Sequence, residues 1–328
     1  LSVLMQEGTT CEVAADLIVK LWDEVDVTAP DAEFALGLAI VAQATDWLYR
    51  KMGSHVQMAE LYRRQWAAAK GDHLDAARLD GLVGIDADVL KHCIAVATDG
   101  VVVKETASRW PLRQHMDVTT AQECGNEGLR KVAEDGKAGR VLCFSSAVLD
   151  VMNEDPVTIM VSKMIAVVKK FLDGRVDPDN RRFCHAVLEP NKIGPADGVG
   201  PGGGVSLPTH LTLMMLIITI FRRYPGVEML VAKRDVKAAF RLIWVSPRSI
   251  GLYATSFPGW VVGLGRIALF ILYLAMTFGA AVSPGEYDFW SKLIEMFHTS
   301  RRPPFPMLHG TLPFQSSALV DDGVIFAP

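Results

Sequence analysis

The chain has 328 residues, half of them apolar, with 33 basic and 37 acidic side chains and a formal net charge of −4. This composition excludes wholesale disorder and allows one large domain or two to three modest ones. It also excludes a globally basic nucleic-acid binder, so any electrostatic groove must be local. The five cysteines are odd in number and scattered, without Cys-x-x-Cys spacing. They argue against a disulfide framework or a structural zinc and for a reducing intracellular compartment, cytoplasm or nucleus.

Residues 1–150 read as a helical N-terminal region of unassigned role. Asp31 to Met52 carries apolar residues at Phe34, Leu38, Val41, Trp47 and Leu48 before Gly53. His55 to Lys70 carries Val56, Met58, Leu61, Tyr62 and Trp66 before Gly71, and Asp86 to Thr98 runs into Gly100. These are amphipathic helix patterns with glycine stops. No catalytic constellation is visible in them. His92 and Cys93, like Cys184 and His185, are neighbours in sequence, and adjacent residues on a strand face opposite ways, so neither pair suits a metal.

Residues 151–226 begin with an apolar run that ends in Lys169 and Lys170. A polar turn through Gly174 and Pro178 follows, then a second run from Arg181 and Arg182 to Lys192. The pattern predicts strand, turn and strand. Between Ser162 and Lys192 basic residues outnumber acidic ones seven to four, which an ordinary charged hairpin would also show. Gly198, Gly200 and Gly203 formally match Gly-x-Gly-x-x-Gly, but they follow a Pro-rich stretch instead of a strand and enclose Pro201, so a flexible connection is the better reading. An apolar helix is predicted through Leu211, Leu213, Met214, Ile217, Ile218 and Phe221, stopped by Arg222, Arg223, Pro225 and Gly226.

Residues 227–328 hold three blocks in order. In the first, a β-type apolar run ends at Asp235, with Ala238, Ala239 and Phe240 just beyond. The second is a Phe278-Gly279 turn followed by Pro284 and an aromatic-rich segment; the glycine lets backbone come close to a ligand, and the proline suits a helix start. The third places Asp321 and Asp322 between short apolar runs and ahead of Gly323, which reads as two strands joined by a tight turn. Taken alone, an Asp-Asp-Gly of this kind is usually a solvated hairpin turn. Gly279 lies 44 residues beyond Asp235, and Asp321 lies 86 beyond it.

Taken together, these blocks resemble the catalytic palm of reverse transcriptases, especially those of retrotransposons. There an Asp precedes an Ala-aromatic pair, a Phe-Gly block carries a downstream Pro, and an apolar-x-Asp-Asp block follows. The 161–192 hairpin is similar to the family's fingers, with Ala186 and Leu188 standing where the family usually has Asp and Arg. The resemblance covers the chain from about Arg140 onward.

It implies an α+β right-hand polymerase with mixed fingers and an antiparallel palm sheet that presents Asp235 with Asp321 and Asp322, the chain stopping before the thumb. It further implies two Mg²⁺ (or Mn²⁺) held by those three carboxylates, with Asp322 the weaker, outer partner. Lys169, Lys170 and Arg182 would grip the incoming triphosphate. Phe240 would lie under the sugar and favour deoxynucleotides, Gly279 would line the nucleotide site, and Phe278 and Pro284 would face template and primer. The implied partners are a primed RNA or DNA template and deoxynucleoside triphosphates, with no disulfide partner.

Two rival readings stand beside this one. The stretch from Trp260 to Val282 is apolar except for Arg266 and approaches the ~20-residue length of a membrane-spanning helix. A polymerase would instead need a buried strand pair and turn there. Alternatively, the fold persists without the chemistry, as a nucleic-acid-binding relic.

Overall fold

The computed structural model describes residues 8–71, 74–103, 121–148, 159, 161–171, 173–186, 210–223, 225–226, 228, 230–236, 238–262, 265, 267–280, 282–300, 315–319 and 322–327. The fold is α+β, with all strand pairs antiparallel.

Capping explains where the first helices start and stop. Helix α1 (Cys11–Glu24) begins on Thr10, whose hydroxyl accepts from Val13 N, and buries Ala14, Ala15, Ile18, Val19 and Trp22 along one face. Helix α2 (Asp31–Met52) has Asp31 and Glu33 in its first turn and Arg50 and Lys51 in its last, the arrangement its dipole favours. It ends on left-handed Gly53, whose N–H returns to Tyr49 O at 2.7 Å. Ser54 caps α3 (His55–Lys70), and α4 is the single turn Ala76–Leu79. Asp86 caps α5 (Ala87–Asp99) by accepting from Asp88 N and Val89 N. Helix α6 (Ala121–Lys137) is interrupted at Gly125, which has a φ of 49°.

These helices enclose a strand. β1 (Val141–Ser145) lies against α2 and α6 and is buried along its whole length. It pairs with β6 (Leu269–Tyr273), Val141 opposite Tyr273, and β6 pairs in turn with β5 (Ala254–Phe257). β5 and β6 are likewise fully buried. The apolar stretch from Trp260 to Val282 therefore contains a short 3-10 turn (Gly259–Val262), the central strand of this sheet and the 278–279 turn. Among the described residues no helix is long and apolar enough to cross a membrane.

The second sheet is the hairpin of β2 (Lys163–Lys170) and β3 (Val176–Ala186). At its turn Gly174 takes a φ of 83°, and Asp173 accepts from Arg175 N. The third sheet has the order β4-β8-β7, from β4 (Leu230–Asp235), β8 (Asp322–Ala327) and β7 (Gln315–Leu319). Helix α8 (Ser283–Ser300) packs on β7 and on α5.

Helix α7 (His210–Arg223) covers the predicted residues with a different exposure. The resemblance implies a helix packed beneath the palm sheet. Here Leu211, Met214, Met215, Ile218 and Phe221 are exposed on one face, and Ile220 on the opposite face is buried.

Candidate active site

The antiparallel register of β4 and β8 makes Asp235 the partner of Asp322. Residues directly opposite in such a pair share a face of the sheet, with Cα atoms about 4.5–5.5 Å apart. β8 then pairs with β7, Leu319 opposite Asp322, so residues 320 and 321 join the two strands. Asp322 and Gly323 thus belong to β8 itself, Gly323 facing Ala318, and not to the turn in which the Asp-Asp-Gly pattern would put them. The ladder extends through Asp322 because Arg234 and Asp235 on β4 supply its partners. Asp321 lies outside the described residues. Of Lys169, Arg182, Asp235 and Asp322 the backbone is described.

Past Asp235 the chain reverses sharply. Ala238 adopts φ 57° and ψ 37°, the left-handed region that alanine enters at a cost of about 1–2 kcal/mol. Among the described residues it is the one non-glycine with positive φ. Its carbonyl accepts from Arg241 N at 2.8 Å, opening a 3-10 turn over Ala239–Leu242. That turn drives Phe240 inward, where it is 8% exposed.

Phe240 meets the Phe-Gly block. Its ring centre is 4.9 Å from that of Phe278 and 5.7 Å from that of Tyr287, both edge-to-face, the preferred aromatic geometry. The two blocks are tied by backbone, since Trp244 bridges Ala275, Val245 N donates to Leu274 O, and Met276 N donates to Ile243 O. Gly279 has a φ of 95°, a conformation that a Cβ would strain. The chain then enters α8 with Pro284 in the first turn, and Ser283 Oγ donates to Thr277 O at 2.8 Å.

A buried ion cluster braces this corner from the helical region. Asp135 of α6 receives Nη1 of Arg241 and, at 3.5 Å, Nη1 of Arg140. Burial pulls the Arg140 guanidinium below its usual pKa. The Arg241 guanidinium carbon also stands 6.0 Å from the Phe278 ring centre. A second clasp joins α5 to α8, with His92 Nε2 2.8 Å from Glu286 Oε2 and the imidazole centre 4.1 Å from that of Phe289, the two rings tilted by 42°.

The structure brings Asp235 into register with Asp322 and packs Phe240 against Phe278. Lys169, Lys170 and Arg182 lie on the separate β2–β3 hairpin, where Lys170 is exposed and Arg182 is the partner of Val167. That hairpin contacts α6 and β5. The left-handed turn at Ala238, the Tyr287 contact and the Asp135–Arg241 pair are not legible in the sequence. The positive φ of Ala238 carries no residue-type signal, and Asp135 meets Arg241 across 106 residues of chain.

No protein-family model matches the chain, and no curated protein is significantly similar to it.

Proposed function

We propose that the chain is the fingers and palm of a retrotransposon reverse transcriptase, extending a primer 3′-end with deoxynucleotides on an RNA or DNA template. The observation that carries this reading is the register of Asp235 opposite Asp322 in an antiparallel three-stranded sheet. Like charges directly opposite one another destabilise a sheet, so an Asp-Asp pair at this position favours a cation between them.

The donor set fits Mg²⁺, which takes hard oxygen ligands and is commonly held by one or two carboxylates together with substrate phosphates. Asp235, Asp322 and the adjoining Asp321 are the residues that would hold it. When bound, such ions would supply charge neutralisation for an in-line displacement at phosphorus. The protein's own work is then to position. β4 and β8 hold positions 235 and 322 opposite one another, and the left-handed turn at Ala238 would set Phe240 beneath the sugar. Phe278 supports that ring from the side, and Gly279 leaves room for a base or sugar to approach. Lys169, Lys170 and Arg182, on the separate β2–β3 hairpin, would supply positive charge for a triphosphate. Recognition of the duplex would rest on backbone and shape, not on base sequence.

Primer extension with Mg²⁺ and deoxynucleotides tests this directly. Asp235→Asn and Asp321→Asn should each abolish extension while leaving the far-UV circular dichroism spectrum unchanged. Synthesis retained by Asp235→Asn would overturn the proposal. A wild-type chain that binds primed template without extending it would identify the catalytically dead relic.

A further inference from the structure

Asp135 is 3% exposed and sits on α6, outside the blocks that resemble a polymerase, yet its carboxylate takes two guanidiniums. One belongs to Arg140 at the entrance to β1. The other belongs to Arg241, the residue directly after Phe240. Two arginines on one carboxylate leave an excess positive charge, and the buried Nε of each has no hydrogen-bond partner among the described residues. A purely structural pair would be expected to balance its charges, because each unpaired buried ion costs several kcal/mol. Here the surplus cation instead faces the Phe278 ring. Arg241 therefore reaches Asp135 with one arm and stands over the Phe278 ring, which in turn packs on Phe240, in a turn already strained at Ala238.

We infer that Asp135 is a positioning residue for nucleotide selection: by anchoring Arg241 it fixes the Phe240–Phe278 ring pair, so that helix α6 sets the preference for deoxy- over ribonucleotides. This rests on the polymerase reading above. Without the carboxylate, Arg241 must leave its buried site to regain water, the cation contact with Phe278 is lost, and the turn holding Phe240 loosens. The surface that would collide with a 2′-hydroxyl is then free to yield. Removal of Asp135 should therefore act on which sugar is accepted more than on the rate of the chemical step.

The test is single-nucleotide primer extension by the full chain with matched dNTP and rNTP series, giving kcat and KM for each, alongside thermal denaturation. Asp135→Asn should lower dNTP-over-rNTP discrimination about tenfold, the change residing mainly in KM, as expected for loss of a steric and packing determinant. Asp135→Glu, which keeps the charge, should recover most of it. Asp135→Asn alone strands a buried guanidinium and can unfold the corner. The triple variant Asp135→Asn/Arg140→Gln/Arg241→Gln removes the carboxylate and both guanidiniums, should retain a near wild-type melting temperature, and should show the same loss of discrimination. Discrimination unchanged in the folded triple variant would overturn the inference and leave Asp135 as a structural brace. A wild-type chain without extension activity would instead sink the polymerase reading, and this inference with it.

Discussion

Replacing His92 with phenylalanine removes the imidazole that the structure places on Glu286. The Glu286 side chain is only 5% exposed, and the 2.8 Å contact with His92 is its ion pair among the described residues. With the imidazole protonated, its attraction to the carboxylate at that distance is about 6 kcal/mol at an effective dielectric near 20, before desolvation. Breaking a buried pair by removing one partner costs about 3–5 kcal/mol net. The 16% exposure of the His92 side chain puts the expected loss near the lower figure, about 3 kcal/mol. Phenylalanine keeps an aromatic ring against Phe289, so the loss isolates the polar contact with Glu286. Urea denaturation at pH 6, followed by far-UV circular dichroism, should show a lower midpoint with an unchanged slope. The double variant His92→Phe/Glu286→Leu, which leaves no orphaned charge, should recover to within about 1 kcal/mol of wild type. A single-variant loss below about 1 kcal/mol, or a double variant no better than the single, would refute the view that a desolvated carboxylate is held by this histidine.

Ala238→Gly relieves the left-handed strain but gives the unfolded chain about 0.4–1 kcal/mol of extra entropy, for a net gain of roughly 0.5–1 kcal/mol. Calorimetry should show a melting temperature raised by about 2 °C, and extension should slow as Phe240 loses its fixed turn. Asp46, buried against Ser145, has its carboxyl pushed above the ordinary value of 3.8, by burial first and against the hydrogen bonds from Ser145. A raised folded pKa means that its stabilising contribution is fully present below the unfolded value and lost as pH rises through the folded one. The stability of Asp46→Asn relative to wild type should therefore increase from pH 3 upward and level off above the folded pKa. A flat difference across that range would show that the group titrates alike in both states.

Local signals were read well where capping and periodicity agree. Helices α2 and α3 run to Met52 and Lys70, the ends that Gly53 and Gly71 predict, and Asp86 and Gly100 bracket α5. The β2–β3 hairpin follows from two β-type runs around Gly174. What escaped is non-local. β1 is buried on both faces, so Val141, Leu142, Cys143 and Phe144 show no alternation to mark a strand. Its partner β6 lies inside a run so apolar that a membrane span was a fair rival. Residue type and order mark Asp235, Phe240, Phe278 and the Asp pair as candidates, and the structure adds the Asp235–Asp322 register and the Phe240–Phe278 contact. The Asp135–Arg241 contact is invisible in the sequence because it depends on the packing of distant elements and leaves no trace in spacing.

The pairing of β1 with β6 bears on how the chain is made. Val141 leaves the ribosome 132 residues before Tyr273, its neighbour in the sheet. At roughly 5–20 residues per second the nascent strand waits on the order of ten seconds for that neighbour. During that interval α2 and α6 can shelter its faces but not its open hydrogen-bonding edge. Synthesis thus creates a transient sticky intermediate, and yield from a slow-translating host should depend on holdase chaperones.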